Sequence, residues 1–165
     1  MVRIARAVVA YIGLGSNLGA SEAVLAASFT ALGELPGTRE LGRSSLYRSA
    51  PVDAAGPDFL NAVAAVETTL SAPALLAALH RIEAAHGRER GLRHAPRTLD
   101  LDLLLHGDEV IDGPDLVVPH PRLHERAFAL VPLAEIAPDL VVPGRGAVAD
   151  LLGAVAAQRV ARLPR

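Results

Sequence analysis

The run RTLDLDLLL, residues 97–105, sets Asp100 and Asp102 two apart among leucines. Alternate side chains of a strand share a face. The two carboxylates therefore point the same way, about 7 Å apart along the chain, while Leu99, Leu101 and Leu103 point into a core. Like charges that close repel unless a cation or ordered water lies between them. Asp is depleted in strands. Short, hard oxygen donors on a rigid element suit Mg²⁺, which takes one or two carboxylates and completes its shell with phosphate oxygens and water. The alternative is an ordinary solvated sheet face.

Arg88, Arg90, Arg93 and Arg97 crowd the stretch just before the pair. Carboxylates for Mg²⁺ beside guanidiniums for phosphate make up a nucleotide polyphosphate site. The alternative for these arginines is a solvated loop pairing with Glu83 and Glu89. All 16 basic side chains are Arg, so any cation on a phosphate is a planar guanidinium. Gly13, Gly15 and Gly19 follow an apolar stretch, but their spacing is GxGxxxG rather than the dinucleotide-binding GxGxxG. They read as a sharp turn, with Ser16 or Asn17 capping the next helix.

These residues need elements to position them. Residues 7–14 read as a strand, 22–35 as an Ala-rich helix stopped by Pro36-Gly37, 40–50 as a second strand, and 59–70 as a third. PALLAALHRIEAAHG (73–87) is the clearest helix, with Pro at its start and Gly at its end. Residues 88–96 form a polar basic loop, predicted to act as a lid. TLDLDLLL is a fourth strand, and EVID (109–112) a short strand pairing back on it after an HGD turn. Residues 119–136 begin as loop and end as helix; 147–158 close the chain as another. The order predicts one domain over 1–165, an α+β sandwich with a mostly antiparallel sheet and helices packed on it. With few aromatics, the core is built from Leu, Val, Ile and Ala; Phe29 and Tyr11 are expected there. The formal net charge of −2 argues against a nucleic-acid binder, and the absence of Cys excludes disulfides and thiolate metal sites. The apolar stretches are too short to span a bilayer, so a cytoplasmic protein is expected.

GLGSNLG, SSLYRSAPV, PDFLNAV, RHAPRTLDLDLLL and VPHPRLHERAFALVPLAEIAP occur in an order that resembles the 6-hydroxymethyl-7,8-dihydropterin pyrophosphokinases of folate biosynthesis. The likeness covers residues 8 to about 142. It implies a ferredoxin-like sandwich and transfer of pyrophosphate from ATP to the pterin hydroxymethyl group, releasing AMP, by a monomer. It implies that Asp100 and Asp102 hold two Mg²⁺ ions and that Arg88 and Arg97 contact the ATP phosphates and aid transfer. Glu83 and His120 match nucleotide contacts. Ser49, Val52, Phe59, Asn61 and Phe128 match the pterin pocket, with Arg126 near it. Phe59 and Asn61, two apart on one strand, share a face independently of the resemblance. The chain departs from the family at His94, where Trp is frequent, and at Asp115 and Val117, where a basic residue and a hydroxyl occur.

Two other readings remain on sequence grounds. A nucleotidyl- or glycosyltransferase using the same acidic pair would release inorganic pyrophosphate or a nucleoside diphosphate. A non-catalytic ligand-binding module would turn over no ATP.

Overall fold

The computed structural model describes residues 6–17, 19–50, 57–86 and 99–164. In chain order its elements are β1 (Val8–Ser16), α1 (Ser21–Gly33), β2 (Thr38–Arg43), β3 (Tyr47–Ser49), β4 (Phe59–Thr68), α2 (Ala72–His86), β5 (Leu99–His106), β6 (Ile111–Asp112), β7 (Val117–Val118), α3 (Ala127–Ile136), β8 (Val141–Val142), β9 (Gly146–Ala147), α4 (Val148–Ala154) and β10 (Ala161–Arg162). A short 3₁₀ turn, Leu123–Glu125, precedes α3.

The main sheet has six strands in the order β10-β3-β4-β1-β5, with β2 also on β4. Every strand pair among the described residues is antiparallel. This is the expected α+β sandwich. The ten-residue β4 is its hub, pairing with β1 on one side and with β2 and then β3 on the other.

Alternation along the strands divides the interior in two. Ile12 and Leu14 of β1, Ala62 and Ala64 of β4, and Leu99, Leu101 and Leu103 of β5 meet Leu25, Phe29 and Leu32 of α1 and Leu75 and Leu79 of α2. On the other face Val63, Leu104 and Leu105 meet Leu130 and Leu133 of α3 and Val148 of α4. Phe29 is core, as expected. Tyr11 is half-buried against the second cluster.

Five expectations change. β1 does not end at the glycines: Gly13 and Gly15 lie inside it, paired on both sides. The chain turns only after Ser16, and α1 starts at Ser21 with Ala20 before it and no side-chain cap. The second strand is split into β2 and β3 at Ser44, whose Oγ accepts from the Val63 N–H. Residues 111–112 pair with β7 rather than with β5. The closing helix ends at Ala154, and the chain beyond it returns to the sheet as β10. Among the described residues no helix is long and apolar enough to cross a membrane.

Candidate active site

A cleft of about 600 Å³ opens on the α3 face of the sheet, beside that helix. Its floor is one transverse row. Tyr47 pairs with Asn61, Asn61 with Gly15, and Gly15 with Asp100, across β3, β4, β1 and β5. In the next row Gly13 pairs with Val63 and Asp102. Two strand spacings, about 10 Å, separate Asn61 from Asp100. Nothing larger than hydrogen fills the space over Gly15. A Cβ there would stand 3.3 Å from Asn61 Oδ1 and 3.6 Å from Phe59 Cδ1. The glycines that suggest a turn in the sequence are instead the bottom of a trough. Their period-two spacing, continuing Tyr11, is the signal that could have shown it.

One end of the trough is acidic. Asp100 and Asp102 are half-buried and line the cleft, while Leu99, Leu101 and Leu103 between and beside them are buried on the opposite face. Asp102 Oδ1 lies 4.0 Å from His120 Nε2, and its Oδ2 lies 4.0 Å from Arg126 NH1. His120 Nδ1 accepts from the Arg122 N–H at 3.1 Å. Burial pushes the His120 pKa down; Asp102 opposes this, while Arg126 and Arg122 add to it. The ring is thus neutral near pH 7, with its proton on Nε2, facing Asp102. Glu83 stands behind the strand. It is buried on α2, and its Oε2 accepts from the Leu101 N–H at 2.9 Å.

The other end is apolar with a polar rim. Phe59 and Phe128 are half-buried and both line the cleft, and Phe128 also packs against the second core cluster. Asn61 and Ser49 are buried; Asn61 Nδ2 donates to Ser49 Oγ at 2.7 Å. That bond fixes the carboxamide, leaving Oδ1 on the Gly15 side. The Arg126 guanidinium lies 5.4 Å from the Phe128 ring centroid. Arg126 therefore spans the two ends, with its charge between an aromatic face and a carboxylate.

The structure thus gathers Ser49, Phe59, Asn61, Asp100, Asp102, His120, Arg126 and Phe128 around one cleft. Arg88, Arg97 and Val52, with His94 and the proposed lid, lie outside the described residues. Sequence reasoning missed Gly13 and Gly15 as floor, and Arg122, Gln158 and Val160 as lining.

The donor set fits Mg²⁺. No group of three or more His, Cys, Asp or Glu that could hold a metal occurs among the described residues. Mg²⁺ nevertheless needs only one or two carboxylates when phosphate oxygens and water fill its shell. Two same-face aspartates at the mouth of an open cleft meet that requirement.

Residues 11–138 match the model of the family described as 7,8-dihydro-6-hydroxymethylpterin-pyrophosphokinase (HPPK). The 2-amino-4-hydroxy-6-hydroxymethyldihydropteridine pyrophosphokinase of Pseudomonas aeruginosa is 46% identical over 155 residues, covering 93% of this chain and 96% of that protein. The protein of the same name from Haemophilus influenzae is 43% identical over 157 residues, covering 94% and 98%. Among solved structures, wild-type Plasmodium falciparum HPPK-DHPS with pteroate has a TM-score of 0.70 at 13% identity, over 93% of this chain. This chain spans 43% of that one, so the likeness speaks to the fold of one part of it.

Proposed function

The chain belongs to the 7,8-dihydro-6-hydroxymethylpterin-pyrophosphokinase family, and on that premise we propose how its cleft divides the work. The reaction is pyrophosphoryl transfer from ATP to 6-hydroxymethyl-7,8-dihydropterin, a step of folate biosynthesis. The hydroxymethyl oxygen attacks the β-phosphorus. The bond from that phosphorus to the AMP oxygen breaks, AMP leaves, and the hydroxyl proton is lost.

The pterin lies at the apolar end. Phe59 and Phe128 supply faces for a flat bicycle, and Asn61, held by Ser49, offers its amide edge. Val52 belongs to this end by the resemblance. The hydroxymethyl arm runs over Gly15 towards Asp100, where the floor carries no side chain. ATP lies with its phosphates at the acidic end. His120 donates from Nε2 there, and Arg88 and Arg97, assigned from the resemblance, bring guanidiniums to the phosphates. Glu83 serves the same end by holding Leu101, and with it the spacing of Asp100 and Asp102. Two Mg²⁺ ions held by these aspartates would neutralise phosphate charge and favour ionisation of the attacking hydroxyl. Alignment and charge neutralisation carry the rest of the catalysis, so no strong general base is needed. The whole chain acts as one domain, a monomer in the cytoplasm.

The observation that carries this reading is the row Asn61–Gly15–Asp100, which joins the aromatic, amide-rimmed end of the cleft to its acidic end across a glycine. The test is to incubate the protein with ATP, Mg²⁺ and hydroxymethyl-dihydropterin and identify the nucleotide released. AMP is expected; ADP or free pyrophosphate would overturn it. Asp100→Asn or Asp102→Asn should cut turnover by orders of magnitude with an unchanged circular dichroism spectrum. Near-wild-type activity in either variant would remove the metal assignment.

A further inference from the structure

We infer that Gln158 is a positioning residue for the pterin end of the cleft, acting through the backbone on either side of Arg126. Its Oε1 accepts from the Ala127 N–H at 2.9 Å, and its Nε2 donates to the Glu125 carbonyl at 2.8 Å. Ala127 opens α3, and Arg126, in the capping position, makes no side-chain cap bond. The first N–H groups of a helix have no partner within it. Here one of them is satisfied by a residue 31 positions further along the chain.

The residue bracketed by these two bonds is Arg126, extended at φ −121° and ψ 106°. Its guanidinium is the group that spans the Phe128 ring and Asp102. The Arg126 N–H and carbonyl are held by the local turns, through Leu123 and Leu130, and one carboxamide ties down the flanking Glu125 carbonyl and Ala127 N–H of the backbone from which Arg126 and Phe128 both project. The same segment is fastened at its far end. Ala161 and Arg162 pair with Arg48 and Tyr47, and the Leu163 N–H donates to the Leu46 carbonyl at 2.9 Å. β3, gripped in this way, carries Ser49, which holds Asn61. Residues 158–163 therefore strap both walls of the cleft, although they lie beyond the residues 11–138 that define the family match.

The role needs a donor and an acceptor at the tip of one side chain, which a carboxamide supplies. Glu at this position keeps the acceptor for Ala127 but has no donor for Glu125. The inference rests on the pterin occupying the Phe59–Phe128 end, so the experiment carries a control for that reading. KM for hydroxymethyl-dihydropterin and for ATP, and kcat, are measured on the full chain for Gln158→Ala, Gln158→Glu and Phe59→Ala. Losing both bonds in Gln158→Ala should raise the pterin KM about tenfold and move the ATP KM by less than about twofold. Gln158→Glu should fall between that variant and wild type, and it carries the comparison alone if Gln158→Ala does not fold. A pterin KM unchanged in the Gln158 variants, beside a raised one in Phe59→Ala, overturns the strap alone. Equal rises in both KM values reduce Gln158 to a general structural role and overturn it too. No change in any of the three variants overturns the pterin assignment and the strap with it.

Discussion

Glu83 accepts the backbone N–H of Leu101 at 2.9 Å, between the two aspartates of β5 and from behind them. A buried donor left unpaired costs about 1–3 kcal/mol. Glu83→Ala should lose about that much stability in a denaturant melt and lower kcat, because the strand that spaces Asp100 and Asp102 loses its outer support. Glu83→Gln keeps a carbonyl acceptor and should retain most of both. A wild-type melt for Glu83→Ala would show the bond to be idle.

Gly15→Ala probes the trough. β1 is extended there, so the backbone tolerates Ala, and removing a strand glycine favours folding by about 0.5–1 kcal/mol. The added methyl would crowd Asn61 Oδ1 and Phe59. Stability should hold while the pterin KM rises and kcat falls. Gly13→Ala, whose Cβ would first meet the flexible Leu104 side chain, at 3.4 Å, is the milder control. Equal kinetics for the two variants would argue against the hydroxymethyl arm passing over Gly15.

Phe59 and Phe128 are expected to act as clamp faces. Alanine at either should weaken pterin binding by about 1–3 kcal/mol with ATP affinity nearly unchanged, rather than cost the 3–5 kcal/mol of stability typical of a core Phe. Phe29, which is 3% exposed in the core, should show the opposite pattern. Calorimetric titration beside a urea melt of the same proteins separates the two.

The pair formed by Tyr47 and Glu135 predicts a pH window. The Tyr47 hydroxyl donates to Glu135 Oε1 at 2.6 Å, and the Ser45 N–H and Oγ donate to the same carboxylate. Burial, then Glu135, push the Tyr47 pKa up to about 12 from 10.0. Burial also acts to raise Glu135, but the bonds from Tyr47 and Ser45 and the charge of Arg162 outweigh it, and its pKa falls below 4.5. A raised folded-state pKa stabilises below the unfolded value and is lost above it; a lowered one stabilises above the unfolded value and is lost as pH falls. The pair therefore supports the fold between about pH 5 and pH 10 and fades on both sides. Stability of the wild type should fall more steeply than that of Glu135→Gln as the pH drops below about 5. Parallel curves would sink the prediction.

Much of this was legible in the sequence because it depends on local periodicity. The Leu-Asp alternation of β5 forces its acidic face, and α2 carries its own start and stop signals. Phe59 and Asn61 share a face by parity alone. The missed features depend on distant partners. Gly13 and Gly15 favour a turn locally, and only pairing with β4 and β5 holds them in a strand. The contacts of Gln158 lie some thirty positions away, in a stretch whose composition suggested helix. Strand 111–112 finds β7 rather than β5, a choice made by chain geometry and invisible to pattern. Val52 belongs to the site only through resemblance, and Arg88 and Arg97 through resemblance and their place in the sequence just before the acidic pair.

The lopsided attachment of β5 has a consequence for how the protein fails. β4 is paired on both edges, whereas β5 ends the sheet and has β1 as its one strand partner among the described residues. Between these two strands, protection against hydrogen exchange should therefore be deeper on β4 than on the strand that carries Asp100 and Asp102. Sub-global opening would release that strand while the β1–β4 pairing stays closed. Under mild denaturant, inactivation should then run ahead of the loss of ellipticity, and ATP with Mg²⁺, gripping the loose strand, should bring the two transitions together.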